Sequence, residues 1–240
     1  MAENRAAEYA EGVPCWVDVQ LPDVEAGKRF YGDLFGWTFA DAGNGSAWAR
    51  LAGADVARLA RKRDGRMPTV WTVYFATPDA ADLCRRILAA GGQVVTAPAP
   101  VRELGTAALV TDAQGAVFGV WQAAAHAGFG LRHAPGSFAW AQLYTTDTGA
   151  ADTFYAQVFH DALFGAGADP DFGRAPVTEV FAAGMPAHFV VHFRTGDVEA
   201  AAEAVRRLGG RVQAPPFETS YGKVAVVTDN QGASFALLQR

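Results

Sequence analysis

The sequence predicts an α+β protein built from tandem βαβββ units, with curved mixed sheets that carry helices on their convex side. Two observations predict this class: a long internal repeat, and strand and helix patterns that recur within each copy. Trp16, Asp23 and Phe30-Tyr31 recur 124 residues later as Trp140, Asp147 and Phe154-Tyr155. Asp112 is echoed by Asp229 near the end of each copy. The two halves of the chain are therefore copies of each other.

The first unit begins with "PCWVDVQL", whose alternation of polar and apolar residues is typical of a strand. Asp23 stands at the N-cap position of a helix on which Phe30 and Leu34 share a face. Three short strand-like stretches follow, "WTFADA", "SAWARLA" and "DVARLAR". This order predicts β-α-β-β-β.

The second unit repeats the order. A strand "TVWTVYFA" precedes a helix that starts after Pro78-Asp79, and three strands follow it: "QVVTA", "GTAALVT" and "AVFGVWQ". Gly91-Gly92 and, in the second half, Gly209-Gly210 predict helix ends with a glycine in the left-handed conformation. We expect four units in all.

Three segments follow from this division. Residues 1–122 form an N-terminal domain of two units, 123–136 a linker, and 137–240 a C-terminal domain of two units. The linker is "AAAHAGFGLRHAPG" from Ala123 to Gly136, which is rich in small residues and has no strand or helix periodicity.

Composition excludes several classes of partner. The chain has 240 residues, of which 50% are hydrophobic and 19% charged, as expected of a globular protein with a sizeable core. A net charge of −5 gives no reason to expect nucleic acid or an anionic membrane. No apolar run is long enough to span a bilayer, and Cys15 and Cys84 form no disulfide framework. A reducing cytoplasm is the expected location.

Strand parity predicts a binding surface. In the first strand, Val17, Val19 and Leu21 share the face expected beneath the helix. The opposite, concave face carries Trp16, Asp18 and Gln20, and the third unit presents Trp140, Gln142 and Tyr144 there. A sheet face of this composition is more typical of a small-molecule cup than of a core.

The strand ending in "LPD", the "FYGDLFGW" helix end, the double-glycine stops and the two "TDxQGAxF" turns together resemble the vicinal oxygen chelate superfamily. Glyoxalase, bleomycin-resistance proteins and extradiol dioxygenases belong to this family. The resemblance covers Val13 to Gln239, and it is strongest to two-domain, four-unit glyoxalase-like proteins.

The resemblance also implies where a metal would bind. Metal-using members place a His or Gln on the first strand of a unit and a Glu four residues past the glycine of the closing turn. The corresponding positions here carry side chains that are not ligands for divalent metals: Trp16, Thr72, Trp140, Val190, Gly119, Ala236 and, in the first unit, Arg58. We therefore expect no metal and no other cofactor.

Two histidines and one aspartate are the candidate proton-transfer groups. His188 and His192 share a strand face with Val190, but residues four apart on a strand are roughly 13 Å apart, too far to hold one ion together readily. One of them could still bind a metal with a carboxylate from elsewhere, transfer a proton, hydrogen-bond a ligand, or contact only water and backbone. Asp18 could act as a general base, or it could pair with Arg50 or Arg58. We assign Asp18 and His192 as candidate catalytic residues.

The candidate ligand-binding residues are Trp16, Gln20, Tyr74, Trp140, Gln142, Tyr144 and His188. The two tryptophans could stack on a planar ligand, or they could fill the space of the absent metal. Glu103, Glu218 and Tyr221 lie in loops that could rim a cup or contact only solvent.

Three functions remain open at this point. The first is metal-independent binding of a small organic metabolite or antibiotic, and the second is a metal-free isomerase, lyase or cyclisation enzyme of secondary metabolism. The third, and least favoured, is a glyoxalase-like metal-dependent lyase with atypical ligands. A monomer with four units could complete its own cups, so either a monomer or a homodimer fits the pattern.

Overall fold

A computed structural model describes residues 9–65, 68–159, 171–177 and 184–240. The first module consists of β1 (Pro14–Leu21), α1 (Val24–Phe35), β2 (Thr38–Gly43), β3 (Ser46–Leu51) and β4 (Ala54–Arg61). The second consists of β5 (Trp71–Ala76), α2 (Ala80–Ala89), β6 (Gln93–Val101), β7 (Gly105–Thr111) and β8 (Val117–Ala123). Both follow the predicted βαβββ order.

In the second half, the fourth module repeats this order and the described part of the third shows a portion of it. The third module contains β9 (Phe138–Thr145), α3 (Thr148–Phe159) and β10 (Phe172–Pro176), and the fourth contains β11 (His188–Arg194), α4 (Val198–Arg207), β12 (Arg211–Thr219), β13 (Gly222–Thr228) and β14 (Ser234–Gln239). The rest of the third module cannot be compared with the predicted order, because residues 160–170 and 178–183 lie outside the described ranges.

The strands of the described residues form two mixed sheets. The eight-stranded sheet has the order β2-β3-β4-β1-β5-β8-β7-β6, and the six-stranded sheet the order β10-β9-β11-β14-β13-β12. In each complete module the last strand runs parallel to the first, as β4 does beside β1 and β14 beside β11. The predicted α+β class is confirmed.

The two faces of β1 differ as parity predicts. Val17, Val19 and Leu21 are fully buried, whereas Gln20 on the other face is half-buried. Trp16 and Asp18 retain 4% and 7% exposure, so they are more enclosed than an open cup would make them.

The helix termini follow from local chemistry. The Asp23 and Asp197 carboxylates accept hydrogen bonds from backbone N–H groups of the first helical turn. These N–H groups otherwise have no partner in the helix. Gly91 and Gly209 end α2 and α4 with φ near +90°, as predicted. The next glycine, Gly92, is required for a different reason, because a Cβ there would lie 2.4 Å from the Thr111 carbonyl oxygen.

Two compact units are apparent in the described part of the chain. One comprises residues 1–16, 73–128 and 141–189, and the other comprises 17–72, 129–140 and 190–240. Each unit therefore draws most of its residues from two modules, the second and third or the first and fourth. The division into domains at residues 122 and 137 stays a prediction.

Each unit has an aromatic core of its own. The unit formed by the first and fourth modules packs Tyr31, Trp37, Trp71, Phe193 and Phe235 together. The unit formed by the second and third modules packs Phe75, Phe118, Tyr155, Phe159 and Phe189 together. Edge-to-face contacts occur in both sets, an arrangement that aromatic quadrupoles favour.

The aspartates of the two "TDxQGAxF" turns stabilise the turns by hydrogen bonds to the backbone. In the second turn, Asp229 accepts hydrogen bonds from the backbone N–H groups of Gln231 and Ala233. Asp112 does the same for Gln114 and Ala116 in the first. The turns are therefore structural elements.

Candidate functional site

Trp140, His192 and Tyr221, called here the Trp140 cluster, come together in the unit formed by the first and fourth modules. Trp140 lies on β9, His192 on β11, and Tyr221 in the two-residue turn between β12 and β13. The Trp140 and Tyr221 rings stack with centroids 5.3 Å apart and planes 18° from parallel. The His192 ring meets Tyr221 edge to face at 6.0 Å.

Burial divides the cluster into an outer and an inner part. The stacked rings of Trp140 and Tyr221 are half-buried, whereas His192 has no exposed surface. The Tyr221 ring therefore lies against a buried imidazole, with the two ring planes 72° apart. The sequence predicts Tyr221 only as a loop residue, because a turn sequence does not show which strand its side chain will reach.

The protonation state of His192 follows from its hydrogen bond. Its Nδ1 lies 3.1 Å from the Val190 carbonyl oxygen, which can only accept, so Nδ1 carries the proton. Burial lowers the pKa of His192 from 6.5 to about 4, and the bond to Val190 opposes this only in part. Nε2 is buried, and no hydrogen-bond partner for it exists among the residues described.

Small side chains lie beside His192. Ala236 on β14 is its partner in register, and Val226 on β13 is the partner of Ala236. Ala236 is also the position at which metal-using relatives of this fold are expected to carry a glutamate. A methyl group therefore stands where the family resemblance would place a carboxylate.

His188 and Tyr144 form a second contact, in the other unit. Their rings stack at 5.8 Å, and the His188 Nδ1 lies 2.9 Å from the Pro186 carbonyl oxygen. Burial lowers the pKa of His188 and raises that of Tyr144. Gln142 on the same strand as Tyr144 is 2% exposed and donates to the Leu143 carbonyl oxygen at 3.3 Å.

Asp18 lies beside one of its two predicted arginine neighbours. Asp18 on β1 is in register with Arg58 on β4, and the Arg58 guanidinium lies 5.9 Å from the Trp48 ring centroid. Arg50, the other predicted neighbour, instead pairs with Asp55 at 2.7 Å. Asp18 is thus a nearly buried carboxyl beside a cation.

Trp16 contacts the segment predicted as a linker. Its ring meets the His126 ring edge to face at 4.5 Å, and Trp121 donates its indole N–H to the His126 carbonyl oxygen at 2.9 Å. The His126 ring therefore packs against a candidate ligand-binding residue.

A cavity of about 360 Å³ lies nearby in the same unit. Tyr9, Glu11, Thr77 and Trp121 contribute its larger side chains. The Glu11 carboxylate forms an ion pair with Arg86 and accepts a hydrogen bond from Thr77. Glu11 and Thr77, two polar residues of the cavity wall, are thus hydrogen-bonded to each other.

The residues at the expected metal positions do not fit a metal. Tyr74 is in register with Gly119, and a Cβ on Gly119 would lie 2.1 Å from the Tyr74 ring. The Tyr74 ring therefore occupies the space into which a ligand glutamate would project. Within the described ranges, no group of three or more His, Cys, Asp or Glu side chains is placed to hold a metal ion.

No helix in the described part of the chain is both long and apolar enough to cross a membrane.

Comparison with known proteins agrees with this architecture. The family model of the Glyoxalase/Bleomycin resistance protein/Dioxygenase superfamily matches residues 15–120. CFP32 of Mycobacterium bovis, named as a candidate glyoxylase, is 34% identical over 98% of this chain and 97% of its own length. The anthracycline biosynthesis protein DnrV of Streptomyces peucetius is 34% identical over 96% of this chain and 94% of its own.

Solved structures share the fold. The Mn(II)-bound glyoxalase from Novosphingobium aromaticivorans aligns with a TM-score of 0.65 at 17% identity, over 96% of this chain and 83% of that one. The 2,3-dioxygenase LapB from Pseudomonas sp. KL28 also aligns with a TM-score of 0.65, at 15% identity, over 97% and 94%. The fold, the repeated motifs and the full-length relatives lead to one conclusion: the chain belongs to the Glyoxalase/Bleomycin resistance protein/Dioxygenase superfamily.

Proposed function

We propose that this protein binds a small, partly planar organic molecule without a metal, on the concave face of the six-stranded sheet. The observation that carries the proposal is the parallel stack of Trp140 and Tyr221 at 5.3 Å. An indole face that already holds one aromatic ring can hold a ligand ring in the same geometry. The ligand takes the place of Tyr221 against Trp140.

Burial supports this position. Both stacked rings are half-buried, so the Trp140 face lies near the surface, while His192 lies fully buried behind Tyr221. A flat apolar surface next to one fixed polar group is the usual composition of a small-molecule site. Here the polar group is an imidazole.

The metal-independent part of the proposal rests on donor chemistry. Zinc, iron and manganese need imidazole, carboxylate or thiolate donors that converge on one point. The first-strand positions hold Trp140 and Val190 and the closing position holds Ala236, so in this half a ligand is oriented by aromatic and hydrogen-bonding contacts.

The relatives suggest the class of ligand. DnrV is named for anthracycline biosynthesis, so we place this protein in secondary metabolism, with a secondary metabolite or an antibiotic as ligand. The cytoplasm is the proposed location. The remaining predicted ligand-binding residues lie outside the Trp140 cluster and stay predictions: Trp16, Gln20, Tyr74, Gln142, Tyr144 and His188.

Fluorescence titration with 2-naphthol, a flat neutral probe, tests the stacking position. Trp140→Ala should weaken binding at least tenfold, because the ring–ring contact and its buried area are both lost. Trp48→Ala, which removes a half-buried tryptophan outside the cluster, is the matched control and should not change the affinity. Tyr221→Ala should leave binding equal or tighter, and weaker binding would show that the probe stacks on Tyr221 instead.

Native mass spectrometry tests the metal-independent part. Untagged protein, purified without chelator and then supplied with zinc, nickel or iron, should show no stoichiometric metal. An organic adduct that survives purification would identify the ligand by its mass. One tightly held metal per chain or per half would contradict the proposal and favour a lyase with atypical ligands.

A second candidate function is metal-free acid–base catalysis, as an isomerase, lyase or cyclisation enzyme. It is favoured by the burial of two proton-transfer groups, Asp18 beside Arg58 and His192 beneath Tyr221. Asp18→Asn separates the two functions. A binding protein should keep its affinity, whereas an enzyme that uses Asp18 should lose about 10²–10⁴-fold in turnover.

A further inference from the structure

We propose that His192 selects ligands that carry a neutral O–H or N–H donor at the ring edge, and that it disfavours ligands with a carboxylate there. This inference rests on the proposed function, since it takes binding against Trp140 as given. It adds the chemical class of the ligand, which neither the fold nor the relatives specify.

The tautomer of His192 sets the direction of the hydrogen bond. The Val190 carbonyl oxygen, 3.1 Å from Nδ1, has no hydrogen to give, so Nδ1 is the donor. A neutral imidazole carries one N–H, which leaves a lone pair on Nε2. His192 can therefore accept a hydrogen bond from a ligand but cannot donate one.

The buried lone pair on Nε2 needs a hydrogen-bond donor. Nε2 is buried, and the described part of the chain offers it no hydrogen-bond donor. Buried acceptors without a partner are costly and uncommon in folded proteins. Burial also lowers the pKa of His192 to about 4, which keeps the imidazole neutral near pH 7.

The position of Tyr221 shows how a ligand would reach this atom. The Tyr221 ring is stacked on Trp140 and at the same time meets the His192 ring at 72°, with centroids 6.0 Å apart. A ligand ring that replaces Tyr221 on Trp140 lies next to the His192 ring at the same steep angle, and a substituent on that ligand ring extends toward Nε2. The neighbour of His192 in register is Ala236, whose side chain is only a methyl group.

Charge then separates the ligand classes. A hydroxyl or N–H at the ligand edge completes a hydrogen bond to Nε2. A carboxylate brings two acceptors toward a lone pair and also loses its hydration, so it should bind worst. An ether of the same ring system falls between the two.

Three naphthalene probes test the inference: 2-naphthol, 2-methoxynaphthalene and 2-naphthoate. Each is titrated by fluorescence into the wild-type protein, His192→Phe and the control His133→Asn. His133 is an exposed histidine outside the cluster with φ +62°, a conformation that Asn tolerates. His192→Phe keeps a ring of similar shape and removes the acceptor.

We expect the wild-type protein and His133→Asn to bind 2-naphthol roughly five- to tenfold more tightly than 2-methoxynaphthalene, and 2-naphthoate most weakly. His192→Phe should lose the preference for 2-naphthol over the ether. Equal binding of these two probes by the wild-type protein would overturn the inference and leave the proposed function standing. If none of the three binds, both are overturned.

A measurement on the wild-type protein covers the case in which His192→Phe does not fold. The ¹⁵N resonance of the His192 Nε2 should lie in the range of an unprotonated ring nitrogen. It should move when 2-naphthol is added and stay in place with 2-methoxynaphthalene. A protonated Nε2 in the free protein, or an identical response to both probes, contradicts the inference.

Discussion

The Tyr31 hydroxyl donates a 2.8 Å hydrogen bond to the Asp229 carboxylate, although 198 residues separate the two in sequence. Tyr155 and Asp112 repeat the pair at 3.2 Å. In both cases the tyrosine comes from the "FY" element of one half and the aspartate opens the "TDxQG" turn of the other. The motifs that carry the family resemblance therefore join the two halves of the chain.

The first prediction concerns the Tyr31 pair. Tyr31→Phe should lower the free energy of unfolding by about 1–3 kcal/mol, because Asp229 loses a donor and the Trp71 indole N–H loses its acceptor. Tyr155→Phe is the matched variant and should cost less, since only the longer bond to Asp112 is lost. Urea unfolding followed by circular dichroism measures the free energy of unfolding of both variants. An equal loss would show that the hydrogen bond from Trp71 contributes nothing to stability.

The second prediction concerns pH. The pKa of His192 is lowered from 6.5 to about 4, so the unfolded chain binds this proton first as the pH falls. The resulting stability is fully present above pH 6.5 and is lost on the way down to pH 4, a total of about 3 kcal/mol.

Unfolding curves recorded from pH 7.5 to pH 4 for the wild-type protein and His192→Phe isolate this contribution by difference. Buried Asp112 and Asp229, whose pKa values are raised by burial, titrate in both proteins and cancel. A difference that does not change with pH would mean that His192 is protonated equally in the folded and unfolded chain.

The third prediction concerns the Tyr74 ring. Gly119→Ala should destabilise the protein by about 1–3 kcal/mol, because the new methyl group would lie 2.1 Å from that ring. In a Tyr74→Ala background the same change should cost much less. A double-mutant cycle measures the coupling, and simple additivity would show that the ring moves aside without cost.

The fourth prediction concerns Gln231, which bonds both the N–H and the carbonyl oxygen of Asp23, each at 2.9 Å. Gln231→Ala should lower stability by about 1–2 kcal/mol, since both backbone groups lose a partner at the start of α1. Gln114→Ala is its counterpart, with contacts to the Thr145 hydroxyl and the Asp147 carbonyl oxygen. Thermal unfolding should show similar losses of stability for the two variants. No loss in either variant would mean that water replaces these hydrogen bonds without a net cost.

Local features of the fold could be predicted from the sequence. The burial of Val17, Val19 and Leu21 follows from a period of two, and the left-handed Gly91 and Gly209 follow from helix termination. Both depend on neighbours a few residues away, which the sequence displays directly.

Long-range features could not be predicted. Tyr221 stacks on Trp140 because the β12–β13 turn and β9 meet in space, and no periodicity links positions 81 residues apart. The role of Asp112 and Asp229 was also missed, although one signal was available. The "FY" and "TDxQG" elements are both repeated, and a buried tyrosine hydroxyl needs an acceptor.

The crossed tyrosine–aspartate pairs also bear on the origin of the chain. Each half supplies one phenol to the other half and receives one in return, which is the reciprocity of a two-fold symmetric dimer. An ancestral half-length chain would have met these needs by pairing with a second copy of itself. Two separately expressed halves should therefore reassemble into the same pair of compact units.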